Sequence, residues 1–145
     1  MNPLSSNDID KAYARIQSYI IETPLITNEI INNIVNANVY FKLENLQRTG
    51  SFKIRGAANK ILQLKKSEKL KGIVTYSSGN HAQAVAYVCS LLNIDATIVM
   101  PDNAPLIKIK NTKKYGAAIV LYESKLNKAR EDIAAEIALK QNKII

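Results

Sequence analysis

Hydrophobic and polar positions along the 145-residue chain follow a helical period first and then a different one. Ile9, Tyr13, Ile16 and Ile20 recur at helical spacing, with Asn7 able to cap the helix and Asp8 and Asp10 in its first turn. That helix is expected to stop before "TPL", because Pro24 biases Thr23 toward an extended backbone. A second short helix is predicted over "NEIINNIVN", ending near Asn36. In "VYFKLE", Val39, Phe41 and Leu43 alternate with more polar neighbours, the period of a half-buried strand.

From Ser51 to about Lys66, the residues Ile54, Ala57, Ala58, Ile61 and Leu62 mark one face of a helix that Ser51 can cap. Lys53 falls in its first turn. The rest repeats a simpler unit. Short apolar runs "GIVTY", "ATIVM" and "AAIVL" begin at residues 72, 96 and 117 with helical stretches between them. Such alternation predicts an α/β fold of three layers, with parallel strands near 72–77, 96–100 and 117–122. Gly116 suits the left-handed residue that closes the helix before the third run. A fourth run begins at "KII". A buried parallel strand normally takes about five or six residues, so the domain is expected to be truncated.

Composition changes this picture little. A 47% hydrophobic content is enough for one modest core. The net charge of +8 raises nucleic-acid binding, but the cations are spread among helical segments, and neither basic–aromatic interleaving nor zinc-finger spacing occurs. No nucleic-acid partner is therefore expected; a phosphate-bearing small ligand fits the charge equally well. Cys89 lies in the apolar run "AVAYVCSLL" and reads as a buried small residue rather than a nucleophile. The N-terminus lacks the pattern of a secretion signal, and no apolar run approaches membrane-spanning length. The expectation is a cytoplasmic protein with no membrane partner.

Two stretches carry candidate chemistry. In "RTGSFKIRGA", Lys53 sits at a helix start beside Phe52. A lysine reacts covalently through its neutral amine, which the positive end of a helix and an apolar neighbour both favour. By spacing alone, Lys53 is either a Schiff-base lysine or an ordinary surface lysine. In "YSSGNHAQAVAY", two hydroxyls, a glycine, an amide and an imidazole gather at the carboxyl end of the first parallel strand, where ligands of such sheets bind. Backbone N–H groups there can hold a carboxylate; a capped turn made by Ser78 or Asn80 is the plainer alternative.

Together, "LENLQRTGSFKIRGA" and "SSGNHAQAVA" closely resemble the two signatures of the threonine/serine dehydratase and serine racemase family, fold-type II pyridoxal-phosphate enzymes. The resemblance runs from "TPL" through "VMPDNAPLIKIKNTKKYGAAIVLY". It implies pyridoxal 5'-phosphate as cofactor, with Lys53 linked to it and moving the substrate α-proton, Phe52 packed beside the ring, and Asn80 bonded to its 3-oxygen. Ser77, Ser78, Gly79, Asn80 and His81 would hold the carboxylate of a threonine or serine substrate. Arg130, in "NKARED", has a loose counterpart in the family and otherwise reads as a solvated helix residue.

The implied reaction is β-elimination to a 2-oxo acid and ammonia. Ser78 resembles the second-face base of the racemases, whereas Ala82 resembles bacterial dehydratases, so dehydratase is preferred and racemase is the alternative. Cysteine synthases, which share the fold, come third. By family analogy, residues 1–70 open the larger cofactor-binding domain and residues 71–145 form the smaller βαβ domain. The family's glycine-rich phosphate loop has no counterpart, since the five glycines stand at 50, 56, 72, 79 and 116. The chain is therefore expected to be inactive alone, as a remnant or as a half-enzyme completed by a second chain, with a homo-oligomer also open.

Overall fold

The structure, a computed structural model, describes residues 3–125 and 129–145. Helix α1 (Ser6–Ile16) starts two residues earlier than Asn7 would have it. Ser5 is the cap: its Oγ accepts from Asp8 N and the Asp8 carboxylate accepts from Ser5 N, a reciprocal pair. Ile16 and Ile20 are buried while Ile9 and Tyr13 stay exposed.

Strand β1 (Leu25–Thr27) follows and pairs antiparallel with β2 (Tyr40–Lys42), Ile26 opposite Phe41. Between them lies α2 (Glu29–Val35), the short helix expected to end near Asn36; Asn28 caps it and Asn36 closes it in the left-handed region. The β1 partner was not anticipated, and both strands are exposed rather than half-buried.

The single helix expected over 51–66 is two. Helix α3 (Lys53–Leu62) ends before an extended Lys65, whose N–H donates to the Glu68 carboxylate at 2.6 Å, and α4 (Lys66–Lys71) restarts from there. Ser51 does not cap α3: its backbone is extended, Phe52 occupies the cap position, and Ser51 Oγ is buried without a partner. The anticipated face holds, with Ile54, Ala57, Ala58 and Ile61 buried.

The parallel sheet is as its apolar runs predict. Strands β3 (Ile73–Tyr76), β4 (Ala96–Pro101) and β5 (Ala118–Tyr122) lie in the order β3-β4-β5, all parallel. They are connected through α5 (Asn80–Leu91) and α6 (Leu106–Lys114), and α7 (Arg130–Gln141) packs against β3 and β4. Gly116 has φ +83°, the left-handed closure that its position called for. Beyond α7, Ile144 forms one parallel bridge to Ile73, and Val74 N donates to Ile144 O.

The main core joins Ile16, Ile20, Ile54 and Ile61 to Val85, Val88, Ile98 and Met100; a smaller one on the opposite side of the sheet holds Val74, Val99, Ala134 and Ala138.

Two side-chain clasps order the chain before α3, one within it and one to α3 itself. Gln47 is 4% exposed, and its amide accepts from Ile21 N at 2.8 Å and donates to Ile21 O at 2.7 Å. Glu44 receives Arg55 Nε at 2.9 Å and Arg55 NH2 at 2.7 Å, and also accepts from Thr23 Oγ1 at 2.6 Å. The Arg55 bonds hold the Glu44 carboxyl down, from an ordinary 4.5 to about 2. A depressed carboxyl contributes stability that is full above its unfolded value and lost as pH falls toward the folded one. Urea unfolding of Glu44→Gln is expected to show a loss of about 1–3 kcal/mol at pH 7, with the gap from wild type narrowing between pH 4.5 and 2.

Gly72, at φ 80° and ψ 175°, occupies a region essentially reserved for glycine. A Cβ there would meet Asp95 O at 2.8 Å. Gly116→Ala meets open space and bears only the backbone cost of about 1–2 kcal/mol. Gly72→Ala is expected to lower the urea midpoint by clearly more than Gly116→Ala.

Candidate active site

The site grows from two helix starts brought side by side. Helix α3 is reached through a tight turn, Arg48–Gly50, in which Thr49 and Gly50 both adopt positive φ, 66° and 71°. The turn delivers Lys53 as the first residue of α3, with Nζ 5.0 Å from the Phe52 ring centroid. Helix α5 starts directly after β3, through Ser77, Ser78 and Gly79, and Asn80 and His81 form its first turn. Because α3 packs along α5, these starts face a common region.

A cavity of about 360 Å³ opens there, lined by Phe52, Lys53, Thr75, His81, Val85 and Ile144 among others. Thr75 Oγ1 and His81 Nε2 share a hydrogen bond at 3.3 Å. Burial, and then the neighbouring Lys53 charge, lower the His81 pKa below 6.5, so the imidazole is neutral at pH 7. The flanking turn is held by Gly79 N donating to Ser77 Oγ at 3.2 Å.

Not all of the candidates meet. Lys53, Phe52 and His81 line the cavity; Asn80 is exposed beside it, and its Oδ1 accepts from Lys108 Nζ at 2.7 Å. Arg130 is exposed, paired with Glu131, and lies 5.4 Å from the Tyr76 ring, outside the cavity lining. Cys89 is buried, and desolvation pushes its thiol up to about 12, which suits a packing role. Sequence reasoning missed Lys108, because a lysine in "KIKNTKK" looks like any solvated helix face.

Among the described residues, three buried polar atoms have no partner: Thr49 Oγ1 and Ser51 Oγ on the approach to Lys53, and Gln83 Nε2 in the first turns of α5. Unsatisfied buried groups are costly; Thr49 and Ser51 stand on the segment that leads to Lys53, and none of the three residues lines the cavity. Among the described residues no group of three or more His, Cys, Asp or Glu is placed to hold a metal, and no helix is long and apolar enough to cross a membrane.

The parallel α/β sheet, with a lysine at one helix start and a serine–glycine–asparagine loop at the next, matches part of the fold of the fold-type II pyridoxal-phosphate enzymes. The chain belongs to the family described as pyridoxal-phosphate dependent enzymes, which matches residues 16–145. It is 50% identical over 137 residues to the catabolic L-threonine dehydratase TdcB of Staphylococcus aureus, covering 92% of this chain and 40% of that protein. The L-threo-3-hydroxyaspartate ammonia-lyase of Saccharomyces cerevisiae is 44% identical over 131 residues, covering 90% and 40%. Maize serine racemase superposes with a TM-score of 0.90 at 39% identity, over 95% of this chain and 42% of that one. The chain thus spans about 40% of the length of the curated relatives it matches.

Since the sequence has one histidine, a single imidazole resonance reports the site. Removing the nearby charge in Lys53→Met is expected to raise the NMR titration midpoint of His81 while leaving it below 6.5, because burial is the larger cause. An unchanged midpoint would mean that Lys53 does not face His81.

Proposed function

We propose that this chain supplies the lysine and the carboxylate-binding loop of a threonine/serine dehydratase, acting by β-elimination to release a 2-oxo acid and ammonia. The observation that carries this is the shared cavity of Lys53 and His81 at the two adjoining helix starts. The cofactor, when bound, stabilises the electron pair left at the substrate α-carbon.

The chain's own residues divide the remaining work. Lys53 holds the cofactor and moves the α-proton, Phe52 packs beside the ring, and Asn80 donates to the ring's oxygen. The turn Ser77, Ser78, Gly79, Asn80 and His81 receives the substrate carboxylate through backbone donors at a helix start. A neutral His81 avoids adding a second full charge next to Lys53. The phosphate end of the cofactor has no comparable home, because no two glycines of the chain lie closer than six residues and no cradle of successive backbone N–H groups can form from them. In this reading residues 1–70 belong to a larger cofactor-binding domain and 71–145 to a smaller one. The working enzyme is cytoplasmic and draws its phosphate anchor from further polypeptide or a second chain; a homo-oligomer is compatible with it.

Serine racemisation is the second reading, favoured by Ser78, a hydroxyl in the turn between β3 and α5 that resembles the second-face base of the racemases, and by the likeness to maize serine racemase.

By itself, the chain is expected to release no more 2-oxo acid from L-threonine than free pyridoxal phosphate does. Replacing the matched part of the S. aureus dehydratase with this chain tests the function directly. Expected is 2-oxo acid release that Lys53→Ala abolishes; predominant conversion of L-serine to D-serine would favour the racemase, and neither reaction would overturn both.

A further inference from the structure

Helix α6 docks on the first turns of α5 through two matched rungs. Lys108 Nζ donates to Asn80 Oδ1 at 2.7 Å, and Asn111 Nδ2 donates to Gln83 Oε1 at 3.4 Å. Partners are three residues apart on each helix, so both rungs lie on one face of each. The docking helix is itself anchored one turn on: Thr112 is fully buried, and its Oγ1 donates to Lys108 O at 2.8 Å.

The first rung has a chemical consequence for the site. An ammonium group offers donors and no acceptor, so the end of the Asn80 amide that faces Lys108 has to be its oxygen. The end left for a ligand is then the nitrogen, with two donors.

We propose that Lys108 is a positioning residue: by occupying Oδ1 it commits Asn80 to presenting only its Nδ2 donors, and so to meeting an acceptor oxygen of an anionic ligand. The proposal rests on the reading above, in which that oxygen belongs to the cofactor ring. Without Lys108, the Asn80 amide turns over at little cost and can present its carbonyl instead, which repels the same oxygen. The charge of Lys108 also adds to the attraction of the loop for an anion, and an arginine can supply both the donors and the charge.

The test uses the isotope-labelled chain and follows the Asn80 side-chain amide by NMR, assigned through its loss in Asn80→Asp. In Lys108→Met, the Asn80 side-chain resonances are expected to move while the backbone amides of β3, β4 and β5 stay in place; Lys108→Arg is expected to restore them. Should Lys108→Met not fold, Lys108→Gln serves, with an expected intermediate shift. Resonances that stay put in the neutral variants, or that move as far in Lys108→Arg, overturn the proposal. A second arm measures binding of pyridoxal 5'-phosphate, expected to weaken about tenfold in Lys108→Met and much less in Lys108→Arg. If the amide resonances behave as expected while binding is indifferent to both Lys108 and Lys53, the orienting role stands and the cofactor reading falls.

Discussion

The contact between α3 and α5 is the constraint on which the rest depends. Many of the buried positions on both helices are alanines: Ala57 and Ala58 on one, and Ala82, Ala84 and Ala86 on the other, lie in a single core with Ile54, Ile61, Val85 and Val88. Small residues let two helices approach closely, which fixes their relative rotation more tightly than long flexible side chains would. The two helices begin in different parts of the sequence, but their packing sets Lys53 and His81 on one cavity wall. A shift along either axis would separate amine and imidazole without breaking any secondary structure.

Before α3, apolar burial comes from Ile16 at the end of α1 and Ile20 just beyond it, and polar clasps hold the segment that follows. The Gln47 amide bonds to both the N–H and the C=O of Ile21, as a neighbouring strand would. Glu44 joins Thr23 to Arg55, two residues beyond Lys53, while Lys42 Nζ reaches Thr23 O at 2.5 Å. These bonds lock the turn that aims the lysine. They are charge-assisted or made by a buried amide, which gives them directionality that hydrophobic contacts at this exposed end cannot supply.

How much of this was legible in the sequence follows the range of the forces involved. The βαβ alternation was, because the short apolar runs "GIVTY", "ATIVM" and "AAIVL" recur between helical stretches, although only the central strand β4 is buried along nearly its whole length while β5 is partly exposed. Lys53 and the turn after β3 stood out in the sequence as candidates, because unusual residues at helix starts break a regular pattern. The pairing of β1 with β2 was not: three exposed residues facing three others carry no period to read. Nor was the break between α3 and α4, since Gln63, Leu64 and Lys65 are all acceptable helix residues and the stop is made by Glu68 reaching back to Lys65 N. Lys108 was hidden for a related reason: its role is defined by what α6 lies against.

The exposed ribbon and its helix bear on how the protein behaves as a colloid. Leu25, Ile26, Ile30, Ile34 and Tyr40 are each 46% exposed or more, an apolar area that attracts its own kind in neighbouring molecules. Opposing that attraction is the net charge of +8, which makes copies repel at neutral pH. Salt shifts the balance, because the screening length is only about 10 Å at 0.1 M and shortens further as ions are added. Solubility is thus governed by ionic strength and by distance from the sequence pI of 9.6, with alkaline, salty solutions the least forgiving.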